Sequence, residues 1–390
     1  MPAHAHPRRS DRNPRRVRAL ASAIVIATAA GLPIPAAAVG ADACTLPSQA
    51  WTVDAAPDAP LTDAFATYGN EKKGWSGGDS TYSISVSEER TVWAFSDTFV
   101  GPVNPDGTQP LDTTFVNSSY VVQEEGRLVR TVIGGTGSEP TGLLPPHDNG
   151  WYWLGAGHMT DDGSSLDQVF LRFERFGPGQ WDWAWEANVL GRFDPESLKL
   201  RAVVPLPSAS GVNWGSWLSR DGGHTLIYGV EDLGLVKYMH IARVAGDDLT
   251  ASWEYWTGIG WSGVETDSVR VMPGVANEYS VAPLRDGYLL VTQDTNELFS
   301  ARVVGYVSCS PTGPFTPIGT LYTAPEPGPF GSYGNPNIFT YNAHEHPELR
   351  TADGLLVTYN VNSFDYTDLY DDVTIYRPRF IRIGLAPAAP

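Results

Sequence analysis

Three carboxylic acids stand in positions that could support chemistry. Asp79 follows a Gly-Gly pair in "GWSGGDSTYSISV", Asp97 closes the apolar run of "TVWAFSDTF", and Glu278 lies in "ANEYSV". Residues 81–86 alternate and residues 92–95 are apolar, so both stretches read as strands of one hairpin. Asp79 then sits just before the first strand and Asp97 at the end of the second, and the turn returns both carboxyls to one rim. Cleavage of a glycosidic bond needs such a set, one acid protonated and another ionised, across the scissile linkage. Crowded acids also push each other's pKa values apart, which keeps one of them protonated. The competing readings are a β-turn role for Asp97 in "SDT" and an interblade hydrogen bond for Glu278.

These acids need a scaffold, and the chain repeats one unit five times. A short strand, a tight acidic turn and a strongly apolar strand recur in "YSISVSEERTVWAFSDT", "WLGAGHMTDDGSSLDQVFLRF", "WGSWLSRDGGHTLIYGVED", "EYSVAPLRDGYLLVTQDT" and "HPELRTADGLLVTYNVN". The turn acids Glu88, Asp162, Asp221, Asp286 and Asp353 are spaced by 74, 59, 65 and 67 residues. Each unit has room for four strands, with 40 Gly and 31 Pro spread between them as turn formers. No stretch longer than a few residues shows helical periodicity with caps. Repetition of four-stranded sheets around an axis is the propeller solution to exposed edges. The expected fold is all-β, a five-bladed β-propeller of four-stranded antiparallel blades, with a strand around residues 50–53 completing the last blade. "SRDGGHTL" matches an Asp-box with Leu226 in place of Trp, so Asp221 reads as a turn residue bonded to its own backbone amides.

In a propeller the loops entering each inner strand and those leaving each second strand meet at one face, opposite the acidic turns. This places Asp79 and Asp97 on a common mouth with His158, Glu231, Asp232, Asn277, Glu278, Tyr279 and Asp294. The stretch "YNAHEHPE" adds His344, His346 and Glu348. Trp75 and Trp214, beside the mouth, are candidate platforms for stacking on sugar rings, whereas Trp181, Trp183 and Trp185 read as packing between blades. His344, His346 and Glu348 alternate on one strand but lack the further ligands of a zinc site, so no metal is assigned. No cofactor is expected, and a central calcium is unsupported by any ligand set. No nucleophile elbow, P-loop, dinucleotide fingerprint or paired C-x-x-C motif occurs.

Residues 1–43 read as a signal peptide: six arginines precede an apolar run over 19–38, with small-residue cleavage options near 38 or 43. Residues 44–390 then form one propeller domain. Removing the leader takes six arginines and two aspartates with it and moves the formal charge from −18 to about −22. Such a charge argues against nucleic acid or an anionic membrane as partner and suits a neutral or cationic substrate and solubility outside the cell; the expected protein is a secreted monomer whose partner is a polysaccharide or oligosaccharide. The two cysteines, Cys44 and Cys309, are expected to pair in an oxidising compartment, the alternative being two buried thiols.

"WSGGDSTYSI…RTVWAFSDTF" followed by "FVNSSYVVQ" resembles secreted actinobacterial propeller proteins of uncharacterised function, a likeness that extends through "YGVED", "NEYS" and "AHEHPEL". Over blade one the same motif is similar to that of endo-D-arabinanases, and the architecture more distantly resembles arabinanases and arabinofuranosidases. The resemblance implies a glycoside hydrolase acting on arabinan-like furanosides, with Asp79 and Asp97 in catalysis. A non-catalytic, lectin-like glycan-binding propeller is the alternative.

Overall fold

The computed structural model describes residues 44–71, 74–179 and 182–388, so the signal-peptide reading lies outside the described residues. The repeats fold as five antiparallel sheets arranged as a five-bladed β-propeller. Blade one comprises Trp75–Ser87, Arg90–Val100, Ser119–Glu124 and Arg127–Val132. Blade two comprises Gly150–Met159, Leu166–Arg175, Trp183–Phe193 and Leu200–Pro205. Blade three runs through Asn213–Asp221, His224–Asp232, Lys237–Ala245 and Trp253–Trp256, and carries two extra short strands, Trp261–Ser262 and Met272–Pro273. Blade four comprises Tyr279–Leu284, Gly287–Gln293, Arg302–Ser308 and Thr316–Thr323.

Blade five uses Ile338–Glu345, Leu355–Ser363 and Arg379–Pro387, and its fourth strand comes from the other end of the chain. Trp51–Pro57 pairs with Arg379–Pro387 in unbroken register from Trp51↔Pro387 to Pro57↔Ile381. This closes the ring as the "AWTV" segment predicts. The second strand of each blade is covered on both faces, which is why Val92–Phe95-type runs are wholly apolar: Val92, Trp93, Ala94 and Phe95 are all fully buried.

Four seams between consecutive blades are filled by apolar clusters. Tyr82 and Ile84 meet Leu154 and Phe170 between blades one and two. Val169 and Leu190 meet Trp214 and Ile227 between two and three. Tyr228 and Met239 meet Tyr279 and Leu290 between three and four, and Leu289 and Val291 meet Ala343 and Val357 between four and five. The fifth seam, between blades five and one, uses a helix that the sequence reading lacks.

That helix, Ala59–Asn70, begins at Asp58, whose side chain accepts the Leu61 amide at 3.1 Å. Pro60 lies in its first turn, and Leu61, Phe65 and Tyr68 recur at helical spacing along one side. Phe65 is buried against Trp75, Trp93, Phe95 and Phe380, so the helix plugs the seam where the ring closes. Burying a ring of this size stabilises by roughly 1.5–3 kcal/mol.

A disulfide joins Cys44 to Cys309, with Cα atoms 5.7 Å apart. It anchors the segment before the closing strand to blade four, where Leu46 is fully buried. Thiol titration of the denatured, unreduced protein is expected to find no free thiol. The Cys44→Ser, Cys309→Ser double variant is expected to lose about 2–4 kcal/mol of stability by chemical denaturation. An unchanged denaturation midpoint would show that the bridge does not hold the ring closed.

Candidate functional site

Asp79 and Asp97 do lie on adjacent strands at one end of blade one, but inside the strands rather than at their ends. The two strands run on to Trp75 and Val100, and their register slips between Gly78↔Thr98 and Ser80↔Phe95. Asp79 therefore faces a bulge made by Ser96 and Asp97, a device that re-aims side chains near functional sites. Ser80 and Thr81 follow with φ of 69° and 68°, left-handed values that are costly for a β-branched residue such as Thr81. Inner strands of three other blades also slip register in the channel: between Leu154 and Gly157, between Trp214 and Trp217, and between Tyr341 and His344.

Each acid has its own set of donors. The Tyr341 phenol donates to Asp79 Oδ2 at 2.7 Å, and Tyr376 donates to the same carboxyl. Asp97 Oδ1 accepts from Asn117 Nδ2 at 2.8 Å and from Trp153 Nε1 at 2.7 Å, the latter from blade two. Glu278 arrives from blade four, and its Oε1 accepts the Ser80 hydroxyl at 2.6 Å. Ser80 is held in turn: the Leu154 amide donates to Ser96 Oγ at 2.9 Å, and Ser96 and Ser80 share a 2.7 Å bond. A hydroxyl has one proton, so Ser80 donates either to Glu278 Oε1, with Ser96 donating to Ser80, when Glu278 is ionised, or to Ser96, with Glu278 Oε1 donating to Ser80, when Glu278 carries the proton there. The other oxygen, Glu278 Oε2, is a buried atom with no hydrogen-bond partner among the described residues.

The electrostatics separate these three acids from those of the rim. Burial pushes Asp79 up to about 7, helped by the charge of Asp97 and opposed by the two phenols. Burial likewise pushes Asp97 up to about 6 against the Asn117 and Trp153 donors. Burial holds Glu278 well above the carboxylate range, with the Ser80 bond pulling down and Asp79 pushing up. None of the three has an arginine or lysine partner among the described residues. The rim acids do: Glu231 pairs with Arg270, Asp232 with Lys237, and Asp294 with Arg302. A scaffold acid is neutralised by a cation where one is at hand; these three are left to share protons instead.

Behind Glu278 lies His344, fully buried, its Nδ1 donating to the Asn342 carbonyl at 3.0 Å. Burial lowers its pKa to about 4, so the ring is neutral, stacked on Tyr82 at 4.6 Å. Its Nδ1 is 3.7 Å from Glu278 Oε2. His346 is buried deeper in the channel, bonded to Ser83 at 2.5 Å and Thr358 at 2.8 Å, and Glu348 also reaches Ser83. These two are channel residues, away from the mouth.

Several other expected positions need correction. Trp75 and Trp214 are fully buried core rings, so neither is a sugar platform; Trp214 donates to Glu265 at 3.1 Å. Tyr279 is also buried, its phenol donating to the Gly229 carbonyl at 2.9 Å in the seam between blades three and four. His158 stands at the far end of its inner strand, opposite Asp167 and near Asp161, Asp247 and Arg220, on the acidic-turn face. The strand runs from the mouth to that face, and His158 is one residue from its end. Asn277 remains at the rim, bonded to Asp232 at 2.9 Å. On the turn face Asp162 caps its own turn through the Ser164 amide at 2.9 Å, whereas Asp221 accepts the Tyr288 phenol of blade four at 2.6 Å.

Residues missing from the sequence reading are those that hold the acids: Ser80, Ser96, Asn117, Trp153, Tyr341 and Tyr376. Asn117 and Tyr341 lie within stretches already singled out, "FVNSS" and "YNAHEH". Trp153 opens the second repeat copy, "WLGAGHMTDDG", whereas Tyr376 comes from a distant segment with no local signal. No group of three histidine, cysteine or carboxylate side chains among the described residues is arranged to hold a metal ion.

Comparison with known structures bears on the fold. A Bacteroides ovatus protein provisionally described as a hydrolase superposes with a TM-score of 0.70 at 18% identity, over 87% of this chain and 95% of that one. Weaker alignments include the Podospora anserina α-L-arabinofuranosidase (TM-score 0.46, 12% identity, 82% of this chain and 94% of that one). Bacillus subtilis levansucrase aligns similarly (TM-score 0.47, 14% identity, 85% and 92%). No curated protein matches the chain. A family model described as Domain of unknown function (DUF5005) matches residues 62–384, from within the helix to the last strand of blade five, and the chain belongs to that family.

Proposed function

We propose that this protein is a secreted glycoside hydrolase that cleaves furanosidic linkages in an arabinan-like polysaccharide. The observation that carries the reading is the set of three acids at the propeller mouth, without a cation partner among the described residues and raised to different extents. Asp79 and Asp97 act as a unit that holds one negative charge near neutral pH and serves as nucleophile or base. Glu278, protonated in the same range, gives its proton to the leaving sugar oxygen. The furanoside preference rests on the likeness of the blade-one motif to that of endo-D-arabinanases. Secretion rests on the basic, apolar leader and agrees with the disulfide.

Purified protein incubated with arabinan, arabinogalactan and other cell-wall polysaccharides is expected to release reducing sugar from the arabinofuranose polymers. Activity should rise through about pH 6, where the pair loses its first proton, and fall at higher pH as Glu278 loses its own. Retention of a polysaccharide with no sugar released at any pH would replace the enzyme with a lectin-like protein.

A further inference from the structure

The fully buried Trp75 and Trp214 leave the mouth without the sugar platforms expected from the sequence, yet a line of rings leads from Asp79 to two exposed ones. Asn362 Nδ2 donates to the Tyr341 hydroxyl at 3.0 Å, which leaves the phenol proton for Asp79. From Tyr341 the rings step outward. Phe339 lies 5.4 Å from Tyr341, Phe364 stacks on Phe339 at 4.5 Å, and Phe299 meets Phe364 edge-on at 4.8 Å. They come from three segments of the mouth face: the loop after the second strand of blade four, the start of the inner strand of blade five, and the residue after its second strand.

Two features set this cluster apart from core packing. Phe299 is 50% exposed and Phe364 47% exposed, so the cluster leaves both residues open to solvent, in segments at the mouth ends of their strands. Phe299 also has φ of 51°, a left-handed backbone that a bulky residue adopts only when something holds it there. The strain presents a ring to solvent, the reverse of what apolar burial would select.

We infer that Phe299, Phe339 and Phe364 form a stacking surface for a sugar ring of the glycan chain, next to the bond presented to Asp79. The inference rests on the proposed function and adds a binding site to it. A furanose ring presents C–H groups on its faces, and an aromatic face carries the matching negative potential. The continuity from Phe364 through Phe339 and Tyr341 to the carboxyl sets which side of the scissile bond the ring occupies. It also implies selection for polymer over a single glycoside, because the surface lies beyond the acids.

The test compares wild type, Phe299→Ala, Phe364→Ala and Phe364→Tyr on arabinan and on a nitrophenyl arabinofuranoside, which carries one sugar. For each alanine variant the loss of kcat/KM on the polymer should exceed the loss on the aryl glycoside by about tenfold, with Phe364→Tyr recovering most of it. Equal losses on both substrates, or none, would overturn the inference while leaving the enzyme reading intact. If wild type releases no sugar, the enzyme reading fails by itself, and retention on arabinan-containing affinity gels decides the platform. Retention that weakens in both alanine variants supports the stacking surface; absent or unaltered retention overturns it.

Discussion

Replacing Asp97 or Asp79 with Asn is expected to cut turnover on the polysaccharide by about 10²–10⁴-fold, the usual scale of acid–base participation. The amide keeps the size of the side chain and an oxygen to accept Asn117 and Trp153 at Asp97, or Tyr341 and Tyr376 at Asp79. What it removes is the charge the pair holds. The stability change should have the opposite sign to the activity change. The Asp79 carboxyl is raised from 3.8 to about 7, so between those values the native state keeps a proton that the unfolded chain has released. Stability therefore falls as pH rises across that window, and above about pH 7 the full cost of the buried charge is carried. The amide does not titrate, so the melting temperature of Asp79→Asn relative to wild type should rise between pH 4 and pH 8. Loss of activity together with gained stability is the mark of a functional group held against its own preference. Full activity with a lowered melting temperature in both variants would assign the two aspartates to the scaffold.

Glu278→Gln should have a comparable effect, with a different substrate dependence. A proton donor matters most when the leaving group is a poor one, as a sugar alcohol is. The variant should lose about 10²–10⁴-fold on polysaccharide and far less on a nitrophenyl arabinofuranoside, whose leaving group needs little help. Its alkaline limb should disappear, since no proton is left to lose. Ser80→Ala supplies the control. The Ser80 bond favours the ionised form of Glu278, so removing it should raise the Glu278 pKa further and move the alkaline limb to higher pH. A merely structural serine would lower stability without moving that limb. An unmoved limb in Ser80→Ala, with equal losses on both substrates in Glu278→Gln, would take Glu278 out of proton donation.

The sequence by itself determined the ring. Five repeats of alternating and apolar strands around acidic turns fix the blades, because side-chain period and turn chemistry are local properties. The closing strand near Trp51 and the Cys44–Cys309 pair were legible for the same reason: one unpaired strand and two cysteines each had one partner left. The hairpin that brings Asp79 and Asp97 together was legible too. The helix was readable in principle from Asp58, Pro60 and the Leu61, Phe65, Tyr68 spacing, but its Ala- and Thr-rich remainder gives only a short apolar stripe.

Only the tertiary structure decided which residues face the mouth. A register slip of one residue turns a side chain to the other face, and bulges interrupt the inner strands of blades one, two, three and five. That is why Trp75 and Trp214 proved to be core; His158 lies on the far face because it stands one residue from the end of a strand that runs away from the mouth. The charge state of the acids was likewise beyond the sequence. Rim and central carboxylates look alike as letters, and only burial and the placement of Arg270, Lys237 and Arg302 on the rim acids leave Asp79, Asp97 and Glu278 without a cation among the described residues. Phe339 and Phe364 meet through the pairing of the first two strands of blade five, and only the ring brings Phe299 of blade four onto them.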